Sequence, residues 1–453
     1  MAHLLGIDVG SSSVKASLLD ADSGRCLASA TSPTTELPMA APQPGWAEQD
    51  PATWWEHVCS ATKQVREAAG VAPEAVAAIG ISYQMHGLVC LDEAGAVLRP
   101  AIIWCDSRAV QIGEAARQAI GGERCLERLL NSPGNFTASK LRWVQQHEAD
   151  LYRRIRHVML PGDWVAFRMT GEPTTTASGL SEGILWDFQD DAPAQLLLDH
   201  YGIDQGLLPP LVPTFGEQGR LTAAAATELG LAAGTPVSYR GGDQPNNALS
   251  LNVLQPGELA ATAGTSGVVY GVSDRAQADP LSRVNTFVHL NHQADAPRYG
   301  VLLCINGTGC CNSWLKRETA TVGEAAIDYP AMNDLAQATP VGADGLCVLP
   351  FGNGAERTLG NRDIGAAVSG LNFNVHTRGH LLRAAQEGIV FAMKYGIDAM
   401  ADAGVTVDTV RAGHANLFLS PLFRQAFATV TGATVELYDT DGAQGAARGA
   451  GLG

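Results

Sequence analysis

Two stretches of this chain set an acid beside a turn of small residues. In the first, an apolar run over residues 4–9 carries Asp8 near its end and opens into Gly10, Ser11, Ser12 and Ser13, with Lys15 just beyond. In the second, Arg240-Gly241-Gly242-Asp243-Gln244 is followed, after one helix-length segment, by Gly264-Thr265-Ser266-Gly267 between two apolar runs. Small residues let the backbone approach a phosphate closely, their N–H groups converge on its oxygens, and Ser and Thr hydroxyls add donors. An aspartate in a glycine turn can come within hydrogen-bond reach of a substrate hydroxyl and take its proton. Base, phosphate cradle and a second acid together describe phosphoryl transfer to an alcohol. Asp8 suits magnesium, which takes one or two carboxylates together with phosphate oxygens, and Asp243 is the other carboxylate on offer.

Each feature has a plainer reading. Either turn alone is equally an ordinary hairpin, Asp8 a turn carboxylate, and Asp243 the cap of a helix starting near Asn246. The two turns together favour a phosphate site. Neither fits GxxxxGK[ST], and residues 6–10 do not fit GxGxxG, so a P-loop and a dinucleotide fold have little support. Gln84-Met85-His86-Gly87 mixes donors, an acceptor and a thioether, a suitable wall for a polyol, and Trp104, Asp106 and Arg108 could extend it. A lone histidine is more often structural, and so is an Asp-Arg pair.

The elements that must position these residues read as α/β. Residues 4–9, 14–19 and 25–30 form a meander with two turns. Asp50 suits an N-cap, Pro51 the first helical position and Gly70 the stop of a helix whose Trp54, Trp55, Val58 and Val65 share one face. A strand over 77–83 follows. Residues 139–170 are mainly helical in pattern, and 171–188, rich in Thr, Ser and Gly, read as turns and short strands near a cleft. The second half repeats the plan: Gly10-Ser11-Ser12-x-Val14 and Gly264-Thr265-Ser266-x-Val268 share one spacing, which suggests a duplicated fold with a ligand between its halves. Long helices are expected over 380–403, with Ala384, Ile389, Phe391 and Met393 among its apolar positions, and over 421–432. The chain closes on a glycine-alanine helix from Gly442.

Composition narrows the class. The 453 residues favour two domains, and 46% hydrophobic with 17% charged content reads as a soluble enzyme. A net charge of −16 argues against a general nucleic-acid or anionic-membrane surface. Nine scattered cysteines without a CxxC pair fit a reducing cytoplasm better than a disulfide framework or zinc site. The N-terminal MAHLLGIDVG lacks the pattern of a signal peptide, and no apolar run approaches the ~20 residues of a membrane span.

At this point the motifs, taken together, resemble the FGGY carbohydrate kinases. GIDVGSSSVK is similar to that family's first phosphate motif, GWAEQDPATWW to its early tryptophan segment, and YRGGDQ with ATAGTSGVVY to its central acid and second phosphate motif. RAGHANLFLSPLFRQAFATVTGATVELYD is similar to its adenosine motif, DGAQGAARGAG to its final connecting helix, and QMHG to the sugar-binding signature of the branch acting on xylulose. The resemblance implies two actin-like ATPase (ribonuclease H-like) domains, a duplicated mixed β-sheet core, and a central ligand cleft that closes over ATP, Mg2+ and a sugar. The division expected is 1–235 and 236–453.

The resemblance further implies that Asp243 is the catalytic base and Asp8 the metal-linked acid, both available to Mg2+. Gln84, Met85, His86, Trp104, Asp106, Asp243 and Gln244 would form the sugar side. Gly10, Ser11, Ser12, Ser13 and Lys15, with Gly264, Thr265, Ser266, Gly309, Ser313, Trp314, Gly413 and Asn416, would hold the nucleotide. There are two departures. Ala412-Gly413-His414 stands where the family has a double or triple glycine, and family members run on by a further helix past the last residue here, which implies a second domain cut short. The expected activity is ATP-dependent phosphorylation of D-xylulose to D-xylulose 5-phosphate in the cytoplasm. A homodimer is a family-level expectation, and neither nucleic acid nor membrane is an expected partner. The alternatives are a kinase for another ketose or polyol (ribulose, gluconate, glycerol), or a non-catalytic actin-like sugar or nucleotide sensor. A sensor would need a partner-binding or DNA-binding appendage and would be free to lose Asp243.

Overall fold

The first acid-bearing run folds as a hairpin. Strand β1 (His3–Val9) pairs antiparallel with β2 (Val14–Asp20), Val9 facing Val14, and the four residues between them make the turn. β3 (Cys26–Ser32) adds antiparallel to β2, while β4 (Val76–Tyr83) adds parallel to β1 and β5 (Val237–Gly242) parallel to β4. The sheet order is therefore β5-β4-β1-β2-β3. The computed structural model describes residues 2–319 and 327–453.

The helix Pro51–Ala69 covers one face of this sheet for the reasons its sequence suggests. The Asp50 carboxylate accepts from the Ala52 N–H, Pro51 is the first residue, and Gly70 stops the helix at φ +65°. Trp54, Trp55, Val58 and Val65 are buried against Ile7, Val9, Ile79 and Ile81. The segment over 171–188 is not only turns and short strands: Thr176 accepts from the Gly179 N–H and starts a helix, Ala177–Glu182.

Two compact units are present, and their division differs from the one expected. The first runs to Asn252 and also takes Phe287–Pro297 and Thr440–Gly453; the second comprises Val253–Thr286 and Arg298–Asp439. The expected break at 235/236 would sever β5 from the ladder that holds it to β4, so Asp243 belongs to the first unit. The glycine-alanine helix Gly442–Leu452 belongs there too. It lies against the sheet so closely that a Cβ on Gly6 would stand 1.9 Å from the Ala443 carbonyl oxygen, and one on Gly80 2.0 Å from that of Ala446. Only glycine in two adjacent strands leaves room for that backbone.

The second unit repeats the pattern. Its sheet runs β8-β9-β7-β6-β10-β11, with β6 (Glu258–Ala263), β7 (Gly267–Ser273), β8 (Asn285–Val288, of which Asn285 and Thr286 fall in this unit), β9 (Tyr299–Ile305), β10 (Thr409–Gly413) and β11 (Thr434–Tyr438). As with β1, the strand β6 pairs antiparallel with the next strand and parallel with a distant one, and β11 continues the parallel run. The second hairpin closes one residue sooner than the shared spacing suggests, because Gly267 pairs with Ala263. Helix Arg378–Asp402 packs Ile389, Val390 and Met393 into this unit's core, whereas Phe391, an expected apolar position, is exposed. Among the described residues no helix is long and apolar enough to cross a membrane.

Candidate active site

The acids come together through strand register. Asp8 and Gly241 both face Ser82, and in the next row Val9 and Gly242 both face Tyr83. Three parallel strands thus end together, and Asp243, the first residue of helix Asp243–Ser250, steps off the end of β5 beside Asp8. The helix starts at Asp243 rather than near Asn246, with Gly242 as its cap, so Asp243 does not serve as the cap. Carboxyl ends of parallel strands are where open α/β sheets place ligands.

Asp8 and Asp243 are recessed but keep some surface open to solvent. Ser82 donates to Asp8 (2.7 Å). Burial pushes the Asp8 carboxyl above its ordinary value; Ser82 and Lys15, its partner across the hairpin, act in the opposite direction, and Asp441 adds to the rise. Burial, and then the neighbouring Asp8, push Asp243 up to about 7, against hydrogen bonds that include the Gln244 side chain. A carboxylate poised near neutrality is matched to general-base work.

Among the described residues no three His, Cys, Asp or Glu side chains converge as a ready-made metal site. The pair nevertheless fits magnesium. Asp8 and Asp243 are hard oxygen donors, the Asp8 charge makes Asp243 harder to ionise, and a divalent cation with phosphate oxygens would relieve that repulsion.

Of the residues expected on the sugar side, Met85 is buried, and a Cβ on Gly242 would meet its Cγ at 2.6 Å, so the QMHG turn lies directly against the step that leads to Asp243. Gln84 is buried, donates its amide to Gln49 (3.3 Å) and leaves its own Oε1 without a partner among the described residues. His86 takes φ +62°. Its Nδ1 is 2.8 Å from the Glu182 carbonyl, which can only accept, so the proton is on Nδ1. Trp104 is half exposed and donates its indole N–H to Ser11 Oγ (3.3 Å).

Asp106 does not join the expected sugar wall. It is fully buried, and its carboxylate accepts from the Ala47 N–H (2.6 Å) and from the Arg108 guanidinium (2.7 Å). With those acceptors filled it braces the loop that carries Trp104 rather than facing a sugar.

The second unit holds a cavity of about 1210 Å³. Gly264, Thr265, Gly309, Ser313, Trp314 and Asn416 line it, six of the eight nucleotide residues expected from that half. Their closeness is built in: a Cβ on Gly309 would stand 2.0 Å from the Gly264 carbonyl oxygen, and Asn416 Nδ2 lies 3.4 Å from the Cβ position of Gly264. Ser266 and Gly413 do not line it. Ser266 hydrogen-bonds Cys304, and Gly413 is the last residue of β10.

Sequence reasoning missed Glu182 and Lys140. Both are buried beside the QMHG turn. A buried lysine on the face that also carries Leu141 and Val144 is not distinguishable, from sequence, from a solvated one. Glu182 closes a short helix in a stretch that carries no chemical pattern.

Comparison with known proteins agrees with this geometry. Residues 3–250 match the N-terminal domain of the FGGY family of carbohydrate kinases, and residues 259–452 its C-terminal domain. A xylulose kinase of Escherichia coli (strain K12) is 31% identical over 449 residues, covering 98% of this chain and 88% of the relative. A xylulose kinase of Streptomyces rubiginosus is 34% identical over 401 residues, covering 88% of this chain and 76% of the relative. The crystal structure of xylulose kinase from Rhodospirillum rubrum superposes with a TM-score of 0.87 at 29% identity, covering 99% of this chain and 89% of that one. The two mixed sheets are thus those of the actin-like ATPase fold.

Proposed function

The chain belongs to the FGGY family of carbohydrate kinases, and we propose that the sugar it phosphorylates is D-xylulose, with ATP as donor and D-xylulose 5-phosphate as product. The observation that carries the chemistry is Asp243, recessed at the end of β5 and pushed up to about 7 beside Asp8. The choice of sugar is supported by the QMHG turn packed against the base and by the xylulose kinases among the similar proteins.

In the reaction, Asp243 accepts the proton of the terminal sugar hydroxyl while that oxygen forms its bond to the γ-phosphorus. The bond between the γ-phosphorus and the bridging oxygen breaks, and ADP leaves with those electrons. Gln244, hydrogen-bonded to Asp243, fixes the carboxylate's orientation. The Gln84 acceptor and His86 orient the sugar, and the turn of Gly10 to Ser13 offers N–H and hydroxyl donors to phosphate. Asp8 and Asp243 would hold Mg2+, which when bound offsets the charge spreading over the phosphate oxygens.

The test is a purified-enzyme screen of ketoses, aldoses and polyols with ATP and Mg2+. D-Xylulose is expected to give the highest kcat/KM, by about tenfold or more over ribulose. Preference for ribulose, gluconate or glycerol would overturn the substrate assignment.

A further inference from the structure

His86 occupies a backbone conformation that side-chain-bearing residues rarely adopt, at φ +62°. Such strain persists only where the surroundings over-determine it. Here two buried titratable residues do so, one through the His86 carbonyl and one through its N–H. Lys140, on the helix Thr137–His147, donates from Nζ to the His86 carbonyl (2.8 Å) and to the Ile103 carbonyl (2.9 Å). Glu182 accepts the His86 backbone N–H on Oε1 (3.4 Å), and its own carbonyl accepts the ring Nδ1–H (2.8 Å). The ring then stands edge-on to Phe136, centroids 4.8 Å apart. Glu182 also touches the base's side of the site: a Cβ on Gly242 would lie 2.4 Å from its Oε2.

We propose that Lys140 and Glu182 are positioning residues which clamp His86 in its left-handed conformation and tie the QMHG turn to the Gly242–Asp243 step, so that sugar and base keep one register. This rests on the kinase reading above and adds to it the residues that set the sugar site's shape. Both side chains are chemically suited to the task. Burial brings Lys140 down to about 7, and a neutral amine still donates to two carbonyls. Burial, and then the neighbouring Asp243, push the Glu182 carboxyl well up, and either of its forms offers an oxygen to the His86 N–H.

The experiment is steady-state kinetics of Lys140→Met, Glu182→Ala and Glu182→Gln, alone and in a His86→Ala background, with both substrates varied. Lys140→Met and Glu182→Ala are expected to raise the sugar KM about tenfold or more while the ATP KM stays within about twofold. Glu182→Gln keeps an acceptor for the His86 N–H and should recover most of that loss. In the His86→Ala background Lys140→Met should cost less than about twofold, since residues acting through one another are not additive. An equal rise in both KM values, or the same factor with and without His86, would overturn the proposal. Should Lys140→Met not fold, the Glu182 pair carries the same comparison.

A kinase that prefers a different sugar would overturn the xylulose assignment alone, since the clamp is then read with that sugar. A crystal structure of Lys140→Met reads the clamp without turnover. His86 should leave φ near +62°, and its persistence there would count against the clamp.

Discussion

Asp243 must be ionised to accept a proton, yet burial and Asp8 both oppose its ionisation. The sign follows directly. If Asp243 is the base, then in the protein free of metal and substrate it protonates below about 7, and kcat/KM, which reads that free state, should fall about tenfold per pH unit on the acid side. Asp243→Asn should lose about 10^3-fold in kcat, near the middle of what positioned acid-base groups contribute. The same variant should also be the more heat-stable protein. With a native pKa above the unfolded one, the native state binds the extra proton, so ionisation costs stability as pH rises from about 4 to about 7. The asparagine variant should therefore melt higher than the native enzyme at pH 8, with the gap closing towards pH 4. Thermal melts across that range check it, and a gap that is constant with pH would count against a raised Asp243. Asp8 and Asp243 were legible in the sequence because glycine and serine turns flank them. Lys140 and Glu182 were not, because their contacts with the turn reach across 54 and 96 positions of chain.

At the scale of elements, local signals served where structure is local. The Asp50-Pro51 start and Gly70 stop of the first helix follow from capping chemistry, and the two hairpins from small-residue turns. The assignment of β5 and of the helix Gly442–Leu452 was not legible, because each is settled by a partner far away in the chain. That helix makes a prediction. Gly6→Ala or Gly80→Ala would push a methyl into the backbone of Ala443 or Ala446. Overpacking of this kind costs about 1–3 kcal/mol, and here the displaced element carries Asp441 and Gly442, whose Cβ position lies 2.4 Å from Asp8 Oδ2. Both substitutions should lower the urea midpoint and also kcat, by more than substitutions of equal stability cost at the far end of the sheet. Lost stability with kcat intact would show that the helix supports the fold alone.

For the whole molecule, the chemistry divides by unit. Asp243, Asp8 and the QMHG turn, proposed as base, metal-linked acid and sugar wall, all belong to the first unit, whereas the cavity of about 1210 Å³ belongs entirely to the second. Duplication explains why both halves carry a hairpin with a small-residue turn, and divergence explains why only the first keeps an acid before it: Thr262 stands where Asp8 does in the shared spacing. The division predicts separable kinetics. Trp314 lines the cavity and is 49% exposed, an unusual position for the largest apolar side chain unless a flat ligand covers it. ADP alone, without sugar, should therefore change the native tryptophan fluorescence, and Trp314→Phe should abolish most of that change while Trp54 and Trp164, buried in the first unit, still emit. Trp314→Ala should raise the ATP KM about tenfold through lost stacking and leave the sugar KM within about twofold. His86→Ala should show the reverse pattern. If Trp314→Ala moved the sugar KM as strongly as the ATP KM, the cavity would have to be read as shared by both substrates rather than as the nucleotide's own.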